Sequence, residues 1–215
     1  MINLSRQREI VQGTADVLII GSGSLGSSSA NVLASIGCKV TLFDGDVWSE
    51  PNIAPSFTMK ELLGEKKATS TAELINERLG ADNVVGVDSY YEDQNLKCDV
   101  LVLAVDSLRV RRQIYRKGLI EYELLIDARM GFDQGGVYNH VPGQNDDWYE
   151  KWLNVEPAPL PCGQKATAFV SAGLVPGAVG MVVARYINNI PIPKRVFFQT
   201  LTDVPNMFVS TETIR

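Results

Sequence analysis

Six consecutive residues, Gly21-Ser22-Gly23-Ser24-Leu25-Gly26, fit the pattern G-x-G-x-x-G, and Asp44 follows 18 residues after Gly26 (44−26). In this pattern the first glycine permits a tight turn, the second lets the backbone approach a phosphate, and the third lets a helix pack closely on a strand. An acid at about this offset accepts a hydrogen bond from a ribose hydroxyl. The chemistry indicated is nucleotide binding, with Gly21, Gly23, Ser24 and Gly26 at the phosphates and Asp44 at the ribose. Which nucleotide is bound remains open at this point, and a turn whose glycines serve packing alone has the same pattern.

The elements that must position these residues are legible around them. Residues 17–20 are a β-branched and aliphatic run suited to a strand buried on both faces of a parallel sheet. A helix over 25–36 points its free N–H groups and the positive end of its dipole into the turn. Residues 40–43 form a second strand that ends at Asp44. Residues 47–57, with Pro51 and Pro55 and no periodicity, read as an ordered loop over the carboxyl ends of the strands. A helix to Leu79 is stopped by Gly80. Strands follow over 84–87, 99–105 (the last a buried run leading to Asp106) and 124–128, and an antiparallel strand over 135–141. The helix over 108–119 carries Arg109, Arg111, Arg112, Arg116 and Lys117, a charge run that most simply forms a solvated face. Residues 142–164 read as a long polar crossover loop, residues 166–190 as a buried helix interrupted by Pro176, and 196–198 with 207–209 as a closing hairpin. The fold class expected is α/β, a Rossmann-like doubly wound, mainly parallel sheet with C-terminal antiparallel strands, in one domain over 1–215 with an N-terminal arm at 1–13.

Composition narrows the function classes. Lys+Arg number 20 against 25 Asp+Glu, a net charge of −5, which argues against nucleic acid as the main partner. Cys38, Cys98 and Cys162 are few and far apart, so neither a disulfide framework nor a C-x-x-C metal site is indicated, and a reducing cytoplasm is the expected compartment. No segment has the length or composition of a signal peptide or membrane span. His140, the sole histidine, reads as structural, because no acid or nucleophile is placed beside it by sequence.

With these pieces assembled, the sequence from about residue 5 to 190 resembles the ThiF/MoeB/HesA superfamily, the fold of ubiquitin-activating enzymes and their bacterial sulfur-carrier-activating relatives. The motifs that carry the resemblance are Asp44-Gly45-Asp46, Asn52 six residues past the second Asp, Lys67 three residues after Gly64, and Val105-Asp106-Ser107 before an arginine-bearing helix. The resemblance implies ATP on the glycine turn, its ribose on Asp44, Asp46 and Asn52 in the binding site, Lys67 at the phosphates and Mg²⁺ on Asp106. It implies adenylation of a carboxylate, the C-terminal glycine of a ubiquitin-like or sulfur-carrier protein, with release of pyrophosphate. It also implies a homodimer in which an arginine of the arm, Arg6 in Arg6-Gln7 or Arg8 in the next frame, reaches the neighbour's ATP.

Three departures stand out. Pro55 occupies the position where the family carries an arginine, so Lys60, Arg111 or an arm arginine would have to supply that charge. Paired C-x-x-C zinc motifs are absent. Cys162 is the one candidate for a thiol that takes up a thioester or sulfur; it precedes a helix whose dipole would lower its pKa, and a purely structural role is equally open. The competing functions are a scaffold of the same fold without activity, to which Pro55 points, and an NAD-binding oxidoreductase or regulator using the same turn.

Overall fold

In the computed structural model, which describes residues 9–131, 134–155, 169–199 and 206–214, the aliphatic runs become the middle of a sheet. β1 (Asp16–Ile20) leads through the glycine turn into α1 (Ser24–Ser35), and β2 (Lys39–Phe43) follows. A short helix α2 (Glu50–Ile53) and a longer α3 (Lys67–Leu79) precede β3 (Val84–Val87). Next come β4 (Val100–Leu103), α4 (Leu108–Lys117) and β5 (Leu124–Met130). The chain continues through β6 (Gln134–His140), α5 (Asp146–Leu153), α6 (Phe169–Ile187), β7 (Arg195–Gln199) and β8 (Asn206–Val209).

The strand order is β8-β7-β6-β5-β4-β1-β2-β3. Strands β1 to β5 pair in parallel, whereas β6, β7 and β8 join antiparallel at the far side, which is the fold class expected from the sequence. The carboxyl ends of the parallel strands form one rim. At that rim β1 has β2 on one side and β4 on the other, the point at which strand order reverses and a crevice opens.

Alternate residues of each run serve opposite layers, which is why the central strands show no polar alternation. Ile19, Leu42, Val102 and Ile126 pack with Leu33 of α1, Ile75 of α3 and Val179 and Val182 of α6. Leu18, Leu101, Leu103 and Leu125 pack with Ile114 of α4 and Tyr149 and Leu153 of α5. α6 contains Pro176 and approaches α1 through Gly180, where an added Cβ would lie 2.5 Å from Val32 Cγ1. Among the described residues no helix is long and apolar enough to cross a membrane.

Two segments differ from expectation. The stretch read as loop over 47–57 contains α2, closed by a capping box between Ser49 and Asn52 with Pro51 in its first turn, where its missing N–H removes no bond. The segment read as a crossover loop over 142–164 contains α5, whose Tyr149 and Leu153 are buried at i, i+4 spacing. Trp148-Tyr149 and Trp152-Leu153 carry that spacing in the sequence, masked by the polar residues around them.

Gly86 on β3 marks a close helix-to-sheet approach, since a Cβ there would lie 2.4 Å from the Ala68 carbonyl oxygen and 2.6 Å from Thr69 Cα, both at the start of α3. Gly86→Ala must push α3 off the sheet, and overpacking of this kind costs about 1–3 kcal/mol. Urea denaturation should show that loss; a variant as stable as the parent would contradict the close contact.

Candidate functional site

The glycine turn is held in shape by backbone contacts that exclude side chains. Gly21 adopts φ +100, in the left-handed region, and a Cβ on it would lie 2.9 Å from the carbonyl of Ala104. Its N–H donates to Phe43 O at 2.8 Å. At Gly26 a Cβ would lie 1.7 Å from Gly21 O, so α1 can start here only with glycine at that position. Gly23 is different: nothing lies within 4 Å of the place its Cβ would take. That side of the turn faces open space at the start of α1, which has no side-chain cap and no acidic residue in its first turn. A helix N-terminus left in this state keeps its N–H groups and partial positive charge for an anion.

Asp44 ties the turn to the loop beyond β2. Its Oδ2 accepts from Ser22 N at 2.7 Å and its Oδ1 from Asp46 N at 2.8 Å. Each oxygen retains a further lone pair for another donor. Asp46 in turn pairs with Lys67 at 3.0 Å and accepts a hydrogen bond from the Tyr90 hydroxyl. The Tyr90 bond, with help from Lys67, holds the Asp46 carboxyl below its ordinary range. Lys67 is buried at the first residue of α3, its N–H donating to Asp46 O at 2.9 Å and its ammonium lying 5.8 Å from the centre of the Trp48 ring. Ser22 Oγ lies within hydrogen-bond distance of Lys67 O at 3.4 Å and of Thr71 Oγ1 at 3.3 Å, so the start of α3 is stitched directly to the glycine turn.

The loop carrying Asn52 and Pro55 lies over the start of α1. Asn52 Oδ1 accepts from Ser49 N at 3.3 Å and Ser49 Oγ at 2.9 Å, which closes the capping box of α2 around its N-cap Ser49. Just after Pro55, Ser56 Oγ donates to Ser24 Oγ at 3.3 Å and Phe57 N donates to Ser27 Oγ at 3.0 Å. The position taken by Pro55 therefore borders the open side of the turn, and Ser24 is engaged by this loop.

Asp106 follows Ala104 and Val105, whose backbone abuts Gly21, and is exposed at the same rim. Arg111, named above as a cation for that rim, is corrected by the structure. It is only 4% exposed and its guanidinium points inward, donating to Leu103 O and Ala128 O at 2.9 Å each, and to Val105 O and Asp127. Its charge is consumed in holding the end of β4 to β5. Asp127 also takes Arg129 at 2.6 Å and the Tyr149 hydroxyl at 3.2 Å. Burial alone would raise its carboxyl, but Arg111 and Arg129 outweigh burial and keep it below the ordinary carboxylate value.

Arg6 and Cys162 lie outside the described residues. The other two thiols are buried, and desolvation pushes Cys38 up to about 11 and Cys98 up to about 12, as befits packing residues. Asp146 Oδ1 lies 2.6 Å from His140 Nε2, and the Tyr122 hydroxyl is 3.1 Å from Nδ1. The structure thus places an acid beside this histidine that the linear sequence does not reveal, yet the imidazole is 2% exposed and packed against Tyr115 and Tyr149, in keeping with a structural role. A groove of about 450 Å³ along β1, β2 and β3, lined by Thr41, Val85, Val87 and Leu96 among others, includes none of Gly21, Gly23, Gly26, Asp44, Lys67 and Asp106.

Arg111→Ala would strand Asp127 partly unpaired in the core, a change that costs about 3–5 kcal/mol, whereas Arg109→Ala on the exposed side of α4 should stay within about 0.5 kcal/mol. Equal denaturation midpoints would contradict the inward-facing Arg111. Burial, opposed by Asp146, holds the His140 imidazole below its ordinary value of 6.5. The native state therefore favours neutral His140, its contribution to stability is present above about pH 6.5 and is lost as pH falls through the lowered native value. His140→Gln should flatten that part of the stability-versus-pH curve, and an unchanged slope would contradict the assignment.

The sequence profile of the ThiF family matches residues 3–190. No curated protein sequence matches the chain. Among solved structures, E. coli MccB with AMPCPP and MccA superposes with a TM-score of 0.71 at 18% identity, covering 95% of this chain and 65% of MccB. The microcin C7 biosynthetic enzyme MccB in complex with N-formylated MccA gives 0.75 at 15% identity, covering 95% and 66%, and PaaA gives 0.68 at 16%, covering 97% and 67%. The chain thus spans about two thirds of the length of these structures, and at such identities they share its fold. With the family profile covering residues 3–190 and the strand order and rim described above, the chain belongs to the ThiF family.

Proposed function

We propose that the chain binds ATP·Mg²⁺ at the glycine turn and adenylates the C-terminal carboxylate of a polypeptide, releasing pyrophosphate. The observation that carries this is the open side of Gly23 at an uncapped helix N-terminus, with Asp44 and Lys67 fastened to the same turn. The amides from Gly23 to Gly26, at the start of α1, would donate to phosphate oxygens, and the spare lone pairs of Asp44 would accept from the ribose hydroxyls. Lys67, anchored by its backbone and paired with Asp46 through a single oxygen, can turn its ammonium toward the phosphates while Asp46 keeps the Tyr90 bond. Asp106 is an exposed hard-oxygen ligand beside the turn, which suits Mg²⁺, an ion bound by one or two carboxylates together with phosphates and water. When bound, Mg²⁺ supplies charge neutralisation on the phosphates.

A carboxylate oxygen attacks the α-phosphorus, the α–β bridging oxygen leaves with pyrophosphate, and no side chain need take a proton. Catalysis is then positioning and charge stabilisation. The family resemblance favours a ubiquitin-like or sulfur-carrier protein as the polypeptide, and the MccB structures with MccA extend the class to other polypeptides. The proposal includes a homodimer in which an arm arginine, Arg6, completes the charge that Pro55 lacks, and any role of Cys162 falls after adenylation. Pro55 is also the observation that favours a second reading, a nucleotide-binding scaffold without activity.

Asp44→Ala should weaken ATP by about 1.5–3 kcal/mol, roughly ten- to a hundredfold. Lys67→Ala and Asp106→Ala should fold, retain measurable ATP binding and lose about a hundredfold or more in ATP–pyrophosphate exchange driven by a polypeptide with a free C-terminus. Full exchange in either variant would overturn the assigned roles. Calorimetry that detects NAD but not ATP would overturn the nucleotide itself.

A further inference from the structure

We infer that Tyr90 is the platform on which the base of the bound nucleotide stacks, so that the loop after β3 reads the base while the glycine turn reads the phosphates. This rests on the ATP site proposed above and goes beyond it by assigning a residue outside every motif named so far. The ring packs so closely on the Asp44-Gly45-Asp46 loop that a Cβ at Gly45 would come within 2.9 Å of Tyr90 Cδ2 and Cε2. Its hydroxyl donates to Asp46, the residue that also holds Lys67. The backbone beneath it is fixed too: Asp44 N donates to Val87 O at 3.2 Å, and Ser89 N donates to the same oxygen at 2.9 Å. Tyr90 is thus pinned at both ends, yet it remains 59% exposed.

The placement fits a base in particular. Gly45 is the residue directly after Asp44, about 3.8 Å along the chain, so a ring lying on Gly45 sits within one sugar's width of the ribose acceptor. The phenol is pushed above its ordinary value, first by its hydrogen bond to Asp46. A base carried by a ribose on Asp44 has a flat aromatic surface to meet there. Because the ring is already fixed, little side-chain freedom is lost on stacking, and every base offers a face to such a surface.

The test is titration of Mg·ATP and of Mg·tripolyphosphate, which has no base, into the parent protein, Tyr90→Phe and Tyr90→Leu. Tyr90→Leu should weaken ATP by roughly ten- to a hundredfold and leave tripolyphosphate unchanged. Tyr90→Phe, which keeps the ring, should bind ATP close to the parent. Tyr90→Leu binding ATP as tightly as the parent, or more tightly, would overturn the inference, the latter by showing that the ring blocks the base. Equal loss for both ligands would overturn it by showing a structural role alone. A parent protein that binds tripolyphosphate and not ATP would contradict the base site, and one that binds neither would remove the ATP site and this inference together.

Discussion

The carboxylate of Asp44 closes two turns at once, and the rim is assembled outward from it. One oxygen fixes Ser22 in the glycine turn and the other fixes Asp46 in the loop after β2. From Asp46 the order spreads to Lys67 at the start of α3 and to Tyr90 after β3, while Ser22 reaches Lys67 and Thr71 directly. Four segments distant in sequence are thereby held around one space. Charged acceptors on backbone N–H groups are among the stronger hydrogen bonds available, so a single residue at the end of β2 organises much of the rim and still keeps lone pairs for a ligand.

A second anchor acts on the other side of the turn. Arg111 spans the carbonyls of Leu103 and Val105, Asp127 and the carbonyl of Ala128, fixing the end of β4 against β5. Asp106 follows Val105, so the carboxylate proposed for Mg²⁺ rises from a backbone that a buried ion pair makes rigid. Ionic groups in the core are expensive to desolvate and add little net stability. What this pair adds is geometry, because the guanidinium's fork satisfies several acceptors in one plane.

Much of this architecture is legible in the amino-acid sequence. The runs at 17–20, 100–103 and 124–126 suit strands covered on both faces, and the glycine turn and Asp44 stand out by spacing, while Lys67 and the metal role of Asp106 are read from the family resemblance. Arg111 is misread because a charge run on a helix looks like a solvated face, and its burial depends on Asp127, which only strand pairing brings beneath it. His140 and Asp146 lie 6 residues apart, but their pairing depends on how α5 folds back after β6, in a segment that reads as loop. Tyr90 carries no signal in the sequence, since its contact with Asp46 spans 44 residues and rests on the register of β2 against β3.

The central claim is that the open side of the glycine turn is a nucleotide phosphate site. Backbone ¹⁵N–¹H spectra of the labelled protein titrated with Mg·ATP test it directly. Shifts concentrated at Gly21 to Gly26, Asp44 to Asp46 and Val105 to Ser107 are the predicted result. Saturable shifts that leave these amides unmoved, or no shifts at millimolar ATP, would contradict it.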